Sequence, residues 1–120
     1  MIKLAKREEQ IMQAFWELKK AFIRDIVAHL PDPKPHYNSV GTIIKVLEDK
    51  GFLARKLVGN IYCYYPTVKK EEYQKHTMKD IVSTYFDNSY SQMLAFFAKD
   101  QNLSIDELSE IFEMIKKEKS

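Results

Sequence analysis

At 120 residues, 45% of them apolar, the chain is long enough for one modest domain, or a small domain with an appendage, and too apolar for disorder. Its net charge of +2 is unevenly placed: residues 1–66 hold 11 Lys/Arg against 7 Asp/Glu and residues 67–120 hold 8 against 10, so the front half suits a polyanion. The lone Cys63 excludes an internal disulfide and a paired-cysteine zinc site, and no run of about 18 apolar residues offers a membrane span.

The spacing predicts a first helix over residues 5–20, with Leu4, Ile11, Met12, Phe15, Trp16 and Leu18 as its apolar stripe. Trp16 lies in that stripe and is expected in the core. A second helix over 23–30 repeats Ile23, Ile26, Val27 and Leu30 at helical spacing, and the Pro-rich stretch from Pro31 to Pro35 ends it. A third helix follows and stops at Gly51. Its inner face is Val40, Ile43, Ile44 and Leu47. Its outer face carries Asn38, Thr42, Lys45 and Asp49, with Ser39 and Gly41 beside them. Short or flexible hydrogen-bonding side chains, with no acid until the last turn, suit a DNA major groove.

Beyond Gly51 the apolar period drops from 3.6 to about 2. Residues 53–58 and 61–65 read as two strands joined at Gly59-Asn60, a hairpin with Arg55, Lys56 and Asn60 at or near its tip. Three short helices and a basic hairpin make a winged helix-turn-helix over residues 1–66. On helical phase, Asn38, Ser39, Thr42 and Lys45 are the base-contact candidates. Lys34, Tyr37, Lys50, Arg55, Lys56, Asn60 and Tyr64 are the candidates for phosphate.

After Pro66 the composition changes. Thr67 is placed to cap a helix running to about 87, with Tyr73, Met78, Ile81, Val82, Tyr85 and Phe86 on its apolar side. Ser89 with Gln92 predicts a helix over 90–99 carrying Met93, Leu94, Phe96 and Phe97. Ser104 with Glu107 opens the last helix, striped by Ile105, Leu108, Ile111, Phe112 and Ile115, with Leu103 and Leu108 as a hydrophobic staple. So many large apolar side chains in about 50 residues rarely bury themselves alone. Residues 67–120 are therefore expected to be a helical dimerisation domain. Its candidates are Tyr73, Ile81, Tyr85, Met93, Leu94, Phe97, Leu108, Ile111, Phe112 and Ile115, paired across a two-fold axis. The fold class is mainly α with a small β-hairpin.

No Gly-rich phosphate loop, metal cluster or Ser/His/Asp arrangement is visible, so no enzyme, metal or cofactor is expected. His29, His36 and His76 lack ligand spacing. The first residues lack the apolar core of a signal peptide, so the expectation is a cytoplasmic chain without membrane insertion. A competing reading is a winged-helix module that binds protein and not DNA.

With these residues in view, the chain resembles the penicillinase-repressor family, regulators of β-lactamase and methicillin-resistance operons. The resemblance spans residues 5–117. It is carried by Glu9-Gln-Ile-Met-Gln-Ala-Phe-Trp16, the run from Ser39 to Phe52, Tyr62-Cys-Tyr-Tyr65 and Leu103-Ser-Ile-Asp-Glu-Leu108. It implies a homodimeric repressor on a pseudo-palindromic operator of double-stranded DNA. It also implies release by proteolysis in the C-terminal helices, triggered by a membrane-bound sensor metalloprotease. The implied cut falls between Phe96 and Phe97. The family's residue before the cut is typically Asn, whereas Phe97 matches. Its usual Thr-x-x-Thr on the third helix is Ser39-x-x-Thr42 here, and two positions that often hold Arg are Gly41 and Val46. A related copper-responsive branch uses paired cysteines near the C-terminus, which this chain does not have.

Overall fold

The computed structural model describes residues 1–119. In order these form α1 (Lys6–Leu18), α2 (Ile23–His29), α3 (Tyr37–Asp49), β1 (Leu53–Val58), β2 (Ile61–Pro66), α4 (Lys70–Tyr85), α5 (Tyr90–Asp100) and α6 (Ile105–Lys119). They divide into two compact units, residues 1–77 and residues 78 onward. The first unit therefore reaches about ten residues past the boundary expected at Pro66, because Val68 and Tyr73 pack on its core.

That core is built from the apolar stripes of three helices. Ile11, Met12 and Phe15 of α1, Ile26 of α2, and Val40, Ile44 and Leu47 of α3 are fully shielded from solvent, and Phe52, Leu53 and Tyr64 close it from the hairpin side. Burying each large side chain contributes about 1.5–3 kcal/mol. Ile43, expected on the inner face, sits only at its margin. Trp16 packs against the core, and its indole N–H donates to the Val68 carbonyl at 2.9 Å.

Two chain reversals fix α3 and the hairpin. Gly51 takes φ +83°, its N–H donates to the Glu48 carbonyl at 3.0 Å, and the Phe52 N–H donates to the Leu47 carbonyl at 2.9 Å. This is a Schellman ending, and the positive φ is why glycine stands there. In the hairpin, β1 and β2 pair antiparallel with Val58 opposite Ile61 and Lys56 opposite Cys63. Gly59 carries the turn's positive φ of +63°, as in a turn with glycine first. Ala21 adds a third short rung: its N–H donates to the Tyr64 carbonyl at 2.9 Å and its carbonyl accepts from the Tyr64 N–H at 2.8 Å.

Two expectations for α4 are corrected. Thr67 does not cap it. Its hydroxyl donates to the Gly51 carbonyl at 2.6 Å and its N–H donates to the Phe52 carbonyl at 2.9 Å, tying the end of the hairpin to the end of α3. The helix begins at Lys70, where the Glu72 carboxylate reaches back to the Lys69 N–H. Tyr73, expected on a dimer surface, is only 5% exposed and belongs to the first unit's core. Its ring lies 5.8 Å from that of Trp16 and 5.9 Å from that of Phe52, and its hydroxyl accepts the Leu4 N–H at 3.1 Å.

The second unit is held by local signals. Asp87 and Asn88 take positive φ where α4 ends, and Ser89 then caps α5 by accepting the Gln92 N–H at 3.1 Å. Asn102, at φ +51°, plays the part glycine plays after α3, with the Leu103 N–H on the Ala98 carbonyl at 2.9 Å. Ser104 accepts the Glu107 N–H at 3.1 Å and donates to its carboxylate at 3.3 Å. Val82 is buried, and the Phe86 and Phe96 rings meet at a tilt of 55° with centroids 5.6 Å apart.

Candidate nucleic-acid interface

The inner face of α3 is locked in the core, so its outer face has one orientation. Asn38, Ser39, Thr42 and Lys45 are all exposed, as is Asp49 at the end of the strip. His36 starts the helix by accepting the Asn38 N–H on Nδ1 at 3.1 Å, which requires the ring proton on Nε2. The Thr42 hydroxyl donates to the Asn38 carbonyl at 2.9 Å, one turn back. Its proton is spent within the helix, so it presents its methyl group and hydroxyl lone pairs outward, which fits a thymine methyl better than a hydrogen-bond acceptor. A Cβ added at Gly41 would lie 3.5 Å from Ile23 Cδ1, an ordinary packing distance, so α2 and α3 leave room there for an alanine.

The hairpin flanks this strip. Antiparallel partners share a face, so Arg55, Tyr62 and Tyr64 lie on one side of the ribbon and Lys56, Val58 and Cys63 on the other. Arg55 is on the side toward α3: its Nε is 3.4 Å from the Glu48 carboxylate and its guanidinium stacks over the Tyr62 ring at 4.3 Å. Sequence reasoning paired Arg55 with Lys56, but the pleat sends them to opposite faces. Asn60 is exposed at the turn. Between the hairpin and the start of α3 runs a cleft of about 330 Å³ lined by Arg24, Tyr37, Asn60 and Tyr62, among others. Arg24 and Tyr62 were not among the sequence candidates. Arg24 follows the first residue of α2, where a helix-turn-helix passes a phosphate, and that position was the available signal. Val46, 39% exposed beside the strip, offers a further apolar contact.

Besides Arg55 with its Glu48 contact, three phosphate candidates are engaged within the protein. Lys34 donates to the Ala28 carbonyl at 2.7 Å and also to that of Leu30, satisfying the end of α2. Tyr64 is 7% exposed and its ring belongs to the core. Lys50 donates to Glu8 Oε2 at 2.7 Å, and the other oxygen of that nearly buried carboxylate accepts the Ala5 N–H at 2.8 Å. Burial pushes Glu8 upward, but the two hydrogen bonds and the Lys50 charge outweigh it and hold its pKa below the ordinary carboxylate value. A carboxylate lowered on folding stabilises above its unfolded pKa, and the gain is lost as pH falls through the folded value. Glu8→Gln should therefore cost about 1.5–3 kcal/mol at pH 7. The gap from the parent, followed by urea unfolding, should close as the pH drops below 4.5, the ordinary value.

Comparison with known proteins decides the family. The model of the penicillinase repressor family matches residues 4–117. The chain belongs to the penicillinase repressor family. The repressor is 24% identical over 115 residues to the protein named "Methicillin resistance regulatory protein MecI" of Staphylococcus aureus strain N315, with 95% of this chain and 94% of that protein covered. It is 25% identical over 117 residues to the protein of the same name from Mammaliicoccus sciuri, at the same coverage. Membership makes it a transcriptional regulator of the repressor class.

In the repressor's second unit, most of the remaining sequence candidates are open to solvent. Leu94 is 60% exposed, Phe97 52% and Phe112 61%, and Tyr85, Leu108, Ile111 and Ile115 are also exposed. Ile81 and Met93 are half-buried. Ile105 and Met114, absent from the dimerisation candidates, are exposed as well. Phe96 and Phe97 sit in the middle of α5, both exposed. Among the described residues, no group of His, Cys, Asp and Glu is placed to hold a metal ion, and no helix is long and apolar enough to cross a membrane.

Proposed function

We propose that the repressor binds a pseudo-palindromic operator as a homodimer, with the outer face of α3 in the major groove of each half-site. The observation that carries this is the exposed strip of Asn38, Ser39, Thr42 and Lys45 on a helix whose opposite side is fully packed. Asn38 suits adenine, Lys45 suits guanine or phosphate, and Thr42 offers its methyl to thymine. Arg24, Tyr37, Arg55 and Asn60, ranged along the cleft beside α3 and on the adjoining wing face, are the phosphate-positioning set, with Lys56 on the far face of the wing in a lesser part. The exposed apolar side chains of α5 and α6 pair two copies, setting half-sites about 34–36 Å apart.

Induction follows from cleavage between Phe96 and Phe97 by a membrane-bound sensor metalloprotease. Peptidases hold substrates extended, so α5 has to unwind locally before that bond is cut. The exposed phenyl side chain of Phe96, where relatives typically have Asn, points to a sensor with an apolar pocket.

Fluorescence anisotropy against DNA from upstream of the repressor's own gene, at several salt concentrations, tests the reading. Arg55→Ala should weaken binding to every sequence and reduce the salt slope by about 1. Lys56→Ala should change the slope less. Thr42→Ala should relax preference at one base position, by about 1–3 kcal/mol. Binding with no sequence preference in the parent would favour the protein-interaction module, the reading suggested by the exposed Leu57, Val58 and Ile61 at the wing tip.

A further inference from the structure

We propose that the outer face of the wing and the α1–α2 connection together form a binding site for a small amphipathic carboxylate. They enclose a groove of about 620 Å³, within the usual range for a small-molecule site. Phe22, Val58, Cys63 and Tyr65 give it predominantly apolar walls, and Lys19, Lys20 and Lys56 also line it. The groove is preformed. The two backbone hydrogen bonds between Ala21 and Tyr64, at 2.9 and 2.8 Å, pin the connection to β2. It lies on the opposite side of the ribbon from Arg55 and Tyr62, shares only Lys56 with the operator-binding reading, and does not depend on that reading.

The lining chemistry selects the ligand. Apolar walls call for an apolar body, and offer few partners to a hydroxyl-rich molecule. Three lysines line the groove against one acid, Asp25, which already accepts the Phe22 N–H at 2.9 Å. Among the described residues, none of the three lysines is in an ion pair. A single carboxylate on an apolar tail answers both features.

Calorimetric titration of the full chain with decanoate, below its micelle concentration, tests the site. Decyltrimethylammonium and decanol serve as the cationic and neutral comparators. Decanoate should saturate a single site, with both comparators weaker by about tenfold or more. Lys20→Glu with Lys56→Glu should weaken decanoate by about tenfold, and Val58→Trp, which fills the groove from an exposed position, should abolish it. Circular dichroism checks that both variants keep the parent fold. Equal binding of all three amphiphiles, or decanoate binding unchanged in both variants, overturns the proposal and places the ligand on the exposed apolar side chains of α5 and α6.

Discussion

The chain cut after Phe96 is expected to bind its operator about 10²–10⁴ times more weakly than the intact chain, while its winged unit unfolds at the same denaturant concentration. The first half follows from effective concentration. In a dimer, seating one α3 delivers the second to its half-site at no further cost in free translation, and losing the link returns each unit to a one-half-site affinity. The second half follows from the packing. The core cluster of the first unit ends at Tyr73, so removing residues 97–120 takes nothing from it. The cut does remove Phe97, Leu108, Ile111, Phe112 and Ile115, all well exposed. Sedimentation of the intact and cut chains reads the oligomer, and anisotropy on one-site and two-site DNA reads the affinity. The reading fails if the cut chain stays dimeric and keeps its operator affinity. It fails equally if the intact chain is a monomer.

How much of this was legible depended on whether a feature is decided locally. The Schellman ending at Gly51, the glycine turn at Gly59 and the caps at Ser89 and Ser104 need only neighbouring residues, so sequence reasoning found all four positions. The outer strip of α3 follows from phase, since Val40, Ile44 and Leu47 cannot be buried without exposing Asn38, Thr42 and Lys45. The lysines were not legible. Whether Lys50 faces a phosphate or Glu8 is decided by a carboxylate 42 residues away, and Lys34 by how the chain doubles back on α2. Tyr73 failed for a related reason. It and Ile81 are both large apolar residues of α4, and residue type alone does not say where one unit's claim on that helix ends. The separation of Arg55 from Lys56 was implicit in the two-residue pleat, but only the contact with Glu48 shows which face turns to α3.

Tyr73→Ala is expected to cost the first unit about 3–5 kcal/mol, the range for deleting a large aromatic ring from a core. For a domain of about 5–15 kcal/mol total stability, that is enough to leave a marginal winged unit partly unfolded. The ring bridges Trp16 and Phe52, and its hydroxyl takes the Leu4 N–H, so the alanine leaves both a cavity and a buried donor without a partner. Tyr73→Phe keeps the ring and loses the hydroxyl with its Leu4, Glu9 and Thr77 contacts, for about 1–3 kcal/mol. Burial, helped by the Glu9 carboxylate, holds the phenol pKa above its usual value, so the hydroxyl stays neutral well past physiological pH. Phe52 is the residue whose N–H closes α3, so the cavity opens directly beneath the end of the helix that carries the candidate base contacts. Operator affinity should therefore fall with stability in the alanine variant and largely survive in phenylalanine. Urea unfolding combined with sedimentation separates core from interface. A variant that unfolds early but sediments as a dimer while folded keeps Tyr73 in the core, whereas one that loses only its dimer, at unchanged unfolding midpoint, returns it to the partner surface.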